Sequence, residues 1–358
     1  MPADQAHLFA PHRIRGVDLR NRVVVSPMCQ YSSVDGFASD WHCVHLGSRA
    51  VGGAALIIAE ATAVEPRGRI SPADLGIWSD DHIAPLAPIV RFIEQHGAVA
   101  GMQLAHAGRK ASTKAPWEGP GSVPPEQGGW RPVAPSPIPF DDRDPAPDEL
   151  TRDQIHQIAR QFAAAARRAH EAGFRVLEIH AAHGYLLHQF LSPLSNQRND
   201  EYGGSFDNRT RLVREVAASI RSVWPDDLPL FIRLSATDWV EGSWSIDDSI
   251  VLVRQLAPLG IDLVDASSGG LVPRVRIPVG PGYQTEFAAR IREETGLMTG
   301  AVGLITSAHQ ADHIIRTGQA DLVFLARAML RNPYWALKAA TELRQPVPWP
   351  KQYERARD

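Results

Sequence analysis

The feature that most constrains the fold of this chain is a regular alternation of short apolar runs with longer amphipathic segments. Short apolar runs bounded by loops predict buried strands. Strands that alternate with helices pair in parallel, because a parallel neighbour requires a crossover connection. The predicted strands are Val23–Ser26, Ala54–Ile58, Val99–Leu104, Val176–Ile179, Leu230–Leu234, Leu263–Ala266, Leu297–Ala301 and Leu322–Leu325.

Amphipathic segments follow most of these runs and predict helices. They are Asp40–Val51, Ile83–His96, Arg152–Ala172, Asn208–Trp224, Asp247–Leu259, Thr285–Thr295, Ser307–Thr317 and Pro333–Leu343. Eight strand–helix units predict a closed (β/α)8 TIM barrel, and a doubly wound open sheet is the alternative. Since such barrels are long single units, we expect residues 1–358 to form one domain.

Some helix boundaries carry their own sequence signals. Thr151 and Ser307 each precede a predicted helix and are suitable N-caps. Asp207 and Asn208 are similarly placed before the helix that Pro225 is expected to stop.

The segment 115–147 differs from the rest of the chain. It is dense in Pro and Gly and has neither helical nor strand periodicity. A long irregular insertion within a compact domain is usually functional or disordered. Because it follows the third predicted strand, we expect it to lie over the mouth of the barrel as a lid.

Charge and hydropathy exclude several classes of protein. A formal net charge of −3 argues against a nucleic-acid partner, because affinity for polyanions depends on concentrated Lys and Arg. No apolar run approaches the length that crosses a bilayer, and the N-terminus lacks the apolar centre of a secretory signal. We therefore expect a cytoplasmic protein without a membrane partner.

The two cysteines, Cys29 and Cys43, form neither a disulfide framework nor a zinc cluster. By default each is a reduced and partly buried thiol. The neighbours of Cys29 give a reason to consider it further.

The residues selected as functional candidates, most of them polar, follow or end the predicted strands. The C-terminal ends of all strands gather on one face of a (β/α)8 barrel, where active sites are built. Residues scattered over the surface would not recur at the C-terminal ends of successive strands. The pattern therefore predicts an enzyme. The residues are Met28, Cys29, Tyr31, Glu60, Ala61, Gln103, His106, His180, His183, Arg233, Gly303 and Arg327.

Six motifs in the chain occur in an order that covers nearly its whole length. They are Ser26-Pro27-Met28-Cys29-Gln30-Tyr31, His106-Ala107-Gly108-Arg109-Lys110, His180-Ala181-Ala182-His183-Gly184-Tyr185-Leu186, Asn208-Arg209, Ala301-Val302-Gly303-Leu304-Ile305 and Gln352-Tyr353-Glu354-Arg355. Together they resemble the thermophilic-like branch of the Old Yellow Enzyme family. An ordered set of this kind is far more specific than a single HxxH.

The resemblance implies FMN as the cofactor and NADPH, or NADH, as a transient hydride donor. By resemblance, Ser26, Pro27, Met28, Cys29 and Ala61 contact the flavin, with the Cys29 thiol at its reactive edge. No dinucleotide-binding fingerprint is present, which fits a nicotinamide that docks only transiently.

Two further residues suit the flavin ring chemically. Arg233 is permanently cationic, so it would favour negative charge at the N1 and C2 edge of a reduced flavin. Gln103 offers both a donor and an acceptor to the pyrimidine edge, although a buried amide satisfied by the backbone is nearly as good an interpretation.

A phosphate site is expected after the seventh and eighth strands, where many barrels have one. Gly303 allows close approach of the backbone, and Arg327 can donate two hydrogen bonds. Ala326 stands where the family usually has glycine, which puts one backbone contact in doubt.

The resemblance assigns His180 and His183 as hydrogen-bond donors to a carbonyl or nitro oxygen of the substrate, and Tyr185 as the proton donor to the alkene. Tyr31 would line the substrate pocket, and Lys110 is either a lining residue or an exposed lysine. Arg355 would reach the active site of a neighbouring subunit in a homodimer or homotetramer. The chain lacks the aromatic residue that often follows this arginine.

The predicted reaction transfers hydride from the reduced nicotinamide through FMN to the β-carbon of an electron-poor alkene, and Tyr185 supplies the proton. One alternative is a metal-dependent barrel hydrolase, because one helical turn would place His180 and His183 on one face. That hydrolase would still need a third metal ligand. A second alternative is a non-catalytic binding barrel without a tight cofactor.

Overall fold

The computed structural model describes residues 7–357. A short antiparallel hairpin, His12–Ile14 with Val17–Leu19, precedes the first strand of a closed barrel. The barrel is entirely parallel, and each strand pairs with its neighbours in chain order until the eighth closes on the first. The predicted (β/α)8 fold is therefore confirmed, and the open doubly wound sheet is wrong.

The barrel strands overlap the predicted runs at all eight positions, and all except the second agree with them to within two residues at each end. They are β1 Val23–Val25, β2 Leu56–Ala63, β3 Val99–Ala105, β4 Val176–Ala181, β5 Leu230–Ser235, β6 Leu263–Ser267, β7 Met298–Ala301 and β8 Leu322–Leu325. Because the strands are covered on both faces, they appear in the sequence as continuous apolar runs.

The α-helices lie between the strands and follow the last one. They are α1 Asp40–Val51, α2 Ile83–Gln95, α3 Arg152–Glu171, α4 Leu186–Leu191, α5 Phe206–Arg221, α6 Ile246–Leu256, α7 Thr285–Thr295, α8 Ala308–Arg316, α9 Arg327–Arg331 and α10 Trp335–Glu342. The short helices α4 and α9 were not predicted, because five or six residues carry too little periodicity.

Strand β2 is longer than predicted, and this changes the position of two selected residues. Glu60 and Ala61 lie within the strand rather than after it. The register shifts between Ala59 and Ala61, so a bulge redirects the side chains that follow. Bulges next to active sites commonly have this effect.

The helix caps were predicted correctly in two cases and wrongly in one. The side chains of Thr151 and Ser307 accept hydrogen bonds from backbone amides at the starts of α3 and α8. Helix α5 is capped by Ser205 instead of Asp207 or Asn208, and it ends before Pro225. Asp207 lies in the first helical turn, where a carboxylate favours the helix dipole.

The insertion 115–147 contains more local structure than predicted. It includes the short 3₁₀ turns Pro116–Glu118 and Pro125–Gln127, and Val133–Ala134 pairs with Asp148–Glu149 as a two-residue strand. Its Trp130 indole donates to the backbone oxygen of Arg67 at 2.8 Å. These contacts attach the insertion to the loop that follows β2.

None of the helices in residues 7–357 has both the length and the apolar character needed to cross a membrane.

Candidate active site

A cavity of about 270 Å³ opens at the C-terminal ends of the strands. It brings together seven of the residues selected from the sequence, together with Ser267, Gln284 and Arg331. The seven are Ser26, Pro27, His183, Arg233, Gly303, Ala326 and Arg327. Residues from both ends of the chain meet here because β1 and β8 are neighbours in the closed barrel.

Arg233 is a cation of the cavity wall and is only 5% exposed. Its Nη2 donates to Ser26 Oγ at 2.7 Å, and its Nε lies 2.6 Å from Asp265 Oδ2. The Nε contact is close but poorly aligned as a hydrogen bond, so we treat it as an ion pair. These two partners fix the guanidinium against the cavity.

His180, His183 and Tyr185 form a compact edge-to-face cluster. The ring centre of His180 is 5.1 Å from that of His183 and 4.9 Å from that of Tyr185, and both pairs are nearly perpendicular. The HxxH spacing does not lie on one helical turn, because His180 belongs to β4 and His183 has a left-handed φ of 58°. The helical interpretation of the pair was therefore wrong.

The turn that presents this cluster depends on glycine. Gly184 has φ of 73°, and a Cβ atom there would lie 2.2 Å from the backbone oxygen of Gly270. The backbone amide of His183 donates to Ser235 Oγ at 2.9 Å. The strained residue of this turn is His183, whose φ of 58° is unfavourable for a residue with a Cβ, and strain of this kind is typical of functional sites.

The histidines and the tyrosine keep their neutral forms. Burial, followed by the neighbouring His183 and Arg233, lowers the pKa of His180 well below its usual value. Burial and then Arg233 lower the pKa of His183 in the same way. Burial raises the pKa of the Tyr185 hydroxyl well above its usual value. At neutral pH the cluster therefore offers neutral imidazoles and a protonated phenol.

Hydrogen bonds restrict the tautomers of both histidines. His180 Nδ1 accepts from the backbone amide of Ala182 at 3.3 Å, so the proton of the neutral ring is on Nε2. His183 Nε2 lies 2.7 Å from Ser267 Oγ. When that hydroxyl donates to Nε2, the His183 proton is on Nδ1 and is available to another acceptor.

A second group of selected residues packs next to the tyrosine. Ala61 belongs to a small buried cluster against which Cys29, Tyr31 and Tyr185 pack. Met28 packs instead against the main hydrophobic core. Burial, followed by Asp74 and Glu60, raises the pKa of the Cys29 thiol well above its usual value. The thiol is therefore protonated, as expected for a residue that is not a nucleophile.

Several selected residues lie elsewhere or behave differently. Gln103 is buried, and its Nε2 donates to Glu178 Oε1 at 2.7 Å. His106 Nε2 lies 2.7 Å from Glu65 Oε1 and is an internal hydrogen-bond partner of that side chain rather than a cavity residue. Lys110 is not an exposed lysine, because its Nζ donates to the backbone oxygens of His183 and Gly270.

Arg355 does not reach the site of its own chain. It lies in the exposed 3₁₀ segment Lys351–Ala356 near the C-terminus. The preceding Tyr353 contacts Tyr334, with ring centres 5.7 Å apart, which holds this segment against the end of the chain's own fold.

The sequence interpretation missed Glu178, Asp265 and Ser267. Glu178 and Asp265 are charged residues inside apolar strand runs, which is the signal that selected Arg233. The same reasoning would have found both. Ser267 carries no such signal, because a serine at a strand end is common and only its distance to His183 distinguishes it.

The sequence profile of the NADH:flavin oxidoreductase / NADH oxidase family matches residues 7–345. The chain belongs to this family. An NADPH dehydrogenase from Geobacillus thermodenitrificans is 51% identical over 350 residues, covering 97% of this chain and 98% of that protein. One from Halalkalibacterium halodurans is 50% identical over 351 residues, covering 98% of both.

Solved structures agree with this membership. Morphinone reductase in complex with tetrahydroNAD has a TM-score of 0.79 at 26% identity, over 97% of this chain and 94% of that one. An Old Yellow Enzyme homologue from Zymomonas mobilis has a TM-score of 0.77 at 25% identity, over 96% and 94%. This family member is an oxidoreductase whose cofactor is FMN and whose hydride donor is a reduced nicotinamide, as the resemblance predicted.

The cavity suits FMN by the chemistry of its side chains. Arg327 and Arg331 line one end together with Gly303, whose φ of 118° keeps a backbone turn that a side chain would strain. Two guanidinium groups match a phosphate. Arg233 lines the same cavity and matches the electron-rich edge of a flavin ring.

The structure and the comparisons bear on the two alternatives, the metal-dependent hydrolase and the non-catalytic barrel. Within residues 7–357, no group of three or more His, Cys, Asp or Glu side chains is arranged to hold a metal ion. The hydrolase hypothesis required a third ligand beside His180 and His183, so it is not supported. The non-catalytic barrel is wrong, because family membership makes the chain an oxidoreductase.

Proposed function

We propose that this protein is an ene-reductase that reduces electron-poor alkenes at the expense of NADPH. The substrates are α,β-unsaturated ketones and aldehydes, maleimides and nitroalkenes. The observation that carries the proposal is the cluster of His180, His183 and Tyr185 beside the cavity that Arg233 lines. FMN, when bound, supplies the transfer of hydride from the nicotinamide to the alkene β-carbon.

His180 and His183 bind the carbonyl or nitro oxygen of the substrate. His180 donates through Nε2, because its Nδ1 already accepts from Ala182. His183 donates through Nδ1 when Ser267 donates to its Nε2. Two neutral donors aimed at one oxygen withdraw electron density from the conjugated alkene and stabilise the developing enolate.

Tyr185 supplies the proton to the alkene α-carbon. Its raised pKa makes it a weak acid in the resting site, so it does not ionise at neutral pH. The α-carbon becomes strongly basic once its neighbour has accepted hydride, and a phenol is then an adequate donor. Lys110 Nζ lies 5.2 Å from the Tyr185 ring centre, and its positive charge stabilises the phenolate that remains.

FMN is held by the residues that the resemblance selected. Arg233 and Gln103 bind the pyrimidine edge of the ring, while Gly303, Ala326 and Arg327 bind the phosphate. Ser26, Pro27, Met28, Cys29 and Ala61 complete the wall around the ring. The location of Ser26, Pro27, Arg233, Gly303, Ala326 and Arg327 on one cavity supports this assignment.

The insertion 115–147 covers the substrate side of the site and acts as a lid within the single domain. A second cavity, of about 460 Å³, lies between the insertion and Tyr185. Its walls include Ile70, Lys110 and Phe140. This space can take the apolar substituents of an alkene, and Tyr31, which contacts Trp117 of the insertion, lies on the same side.

Two further assignments concern partners. NADPH is the preferred donor because close relatives are named NADPH dehydrogenases. Arg355 contributes to the active site of a neighbouring subunit in a homodimer or homotetramer. Its exposure in its own chain leaves it available for that role.

A visible absorption spectrum, recorded before and after anaerobic addition of NADPH, tests the proposal. We expect flavin bands that bleach with NADPH and return when a maleimide is added. Bands that bleach but do not return with any of the four substrate classes would disprove alkene reduction while leaving the flavin chemistry in place.

A further inference from the structure

A cluster of four polar side chains lies inside the barrel next to the cavity. Gln103, Glu178, Arg233 and Asp265 come from the consecutive strands β3, β4, β5 and β6, and each is at most 5% exposed. Gln103 Nε2 donates to Glu178 Oε1 at 2.7 Å, and Arg233 Nε lies 2.6 Å from Asp265 Oδ2. The two proposed flavin contacts, Gln103 and Arg233, therefore each lie next to a buried carboxyl group.

The charges of this cluster do not balance when both acids are ionised. Glu178 and Asp265 then carry two negative charges against the one positive charge of Arg233. Glu178 Oε2 and Asp265 Oδ1 have no hydrogen-bond partner within the described structure. An uncompensated charge in a barrel interior is strongly unfavourable, and retention of a proton removes it.

The charged and polar groups that face Glu178 come from the neighbouring strands and from its own strand. Asp265 on β6 and Arg233 on β5 are the charges that act on it, and Gln103 on β3 donates to it. On its own strand, His180 is the register partner of Arg233 and is neutral. Burial, followed by Asp265, raises the pKa of Glu178. Because the two acids interact, their titration belongs to the pair rather than to either residue.

We propose that the pair of Glu178 and Asp265 retains one proton at neutral pH and thereby sets the reduction potential of the bound FMN through Gln103 and Arg233. This inference rests on the proposed placement of the pyrimidine edge of the flavin against those two side chains. It adds two positioning residues that do not touch the flavin in the proposed arrangement.

The direction of the effect follows from electrostatics. Reduction of the flavin places negative charge beside Gln103 and Arg233. That charge raises the proton affinity of the carboxyl pair. The two electrons come from the reductant, and the pair takes a fraction of one proton from solvent. Where Glu178 is ionised, its negative charge disfavours reduction, so the pair lowers the potential at alkaline pH and not at acid pH.

The test is the midpoint potential of the FMN-loaded protein as a function of pH, measured by anaerobic dithionite titration against reference dyes. Glu178→Gln removes the ionisable group and keeps an amide oxygen that accepts from Gln103. We expect the plots of wild type and E178Q to coincide near pH 6 and to diverge above pH 8, with the E178Q potential higher. One full proton taken up per two electrons changes the equilibrium tenfold per pH unit, which is about 30 mV.

Glu65→Gln is the matched control. Glu65 is a buried carboxylate whose partners are His106, Arg67 and Gln161, none of which belongs to the cluster. The plot of midpoint potential against pH for E65Q should run parallel to the wild-type plot at every pH. Parallel plots for E178Q and wild type would overturn the inference. A wild-type plot without any bend across this range would also overturn it, whether or not E178Q can be purified.

Failure of the inference and failure of the proposed function are distinguishable. The potentials require only bound FMN and a chemical reductant, whereas alkene reduction requires His180, His183 and Tyr185. A protein that reduces maleimides but gives parallel plots keeps its function and loses this inference.

Discussion

Tyr185 lies where burial keeps its hydroxyl protonated and where the ring of the neutral His180 is its neighbour. A residue in this setting can donate a proton only after a strong base has formed next to it. In the proposed mechanism, loss of the Tyr185 hydroxyl should therefore affect reoxidation of the flavin by the alkene and not its reduction by NADPH.

Tyr185→Phe should slow reoxidation of the reduced protein by a maleimide by about 100-fold or more, because general acid catalysis contributes at least that much. Reduction by NADPH should be unchanged, since no proton from Tyr185 is needed. Stopped-flow absorbance measures the two half-reactions separately. Tyr202→Phe removes a buried hydroxyl bonded to Glu215 and should leave both rates unchanged. Equal slowing of both half-reactions in Y185F would contradict the assignment.

Lys110 predicts a pH dependence of stability. Burial, followed by Arg109, lowers its pKa to about 8, whereas an unfolded lysine has a pKa of about 10.4. Between these values the unfolded chain binds more protons, so the free energy of unfolding rises with pH relative to a Lys110→Met variant. Urea unfolding of the cofactor-free proteins near pH 7.5 and pH 10.5 measures the difference. A constant difference would show that Lys110 keeps its ordinary pKa.

At the scale of elements, the insertion 115–147 is attached to the barrel by specific contacts. The ring of Phe140 lies 4.5 Å from Lys110 Nζ, and the same ammonium faces Tyr185. Arg109 donates to the backbone oxygens of Ile138 and Pro139. The motif that follows β3 therefore holds one edge of the insertion beside the proposed proton donor.

Phe140→Ala should loosen the insertion without affecting the barrel. We expect faster amide exchange in residues 115–147 and a KM for bulky maleimides that rises about fivefold, which corresponds to loss of a cation–π contact of about 1 kcal/mol. Exchange mass spectrometry and steady-state kinetics measure the two effects. Glu126→Ala, at an exposed turn of the same insertion, is the control. Unchanged exchange in F140A would show that Phe140 does not anchor the insertion.

At the scale of the whole molecule, the proposed oligomer predicts active sites that combine two chains. Tyr185 belongs to one chain and Arg355 to its neighbour, so Y185F and Arg355→Ala damage different halves of each site. Co-expression of the two variants with different tags should produce hybrid oligomers containing some intact sites. Their rate of alkene reduction should exceed the mean of the two parent variants. A rate equal to that mean would show that Arg355 does not contribute to the active site of the neighbouring chain.

Strand positions were predictable because strands buried on both faces must be apolar throughout. Arg233 was selected by the same rule, since an arginine inside such a run needs a partner or a ligand. The rule failed at boundaries: β2 continues to Ala63 through polar Glu60 and Thr62, because the bulge and barrel packing bury these residues. Short helices such as α4 were also missed, because tertiary packing rather than periodicity stabilises them.

The sequence by itself determined the barrel, the face on which the site lies and the residue types that meet there. These follow from periodicity, from parallel pairing and from the fixed order of the strands. Only the tertiary structure decided which atoms are neighbours: Ser267 at His183, Glu178 at Gln103 and Asp265 at Arg233. Such contacts join residues up to 84 positions apart, and the geometry of barrel closure sets their distances, which local pattern does not encode.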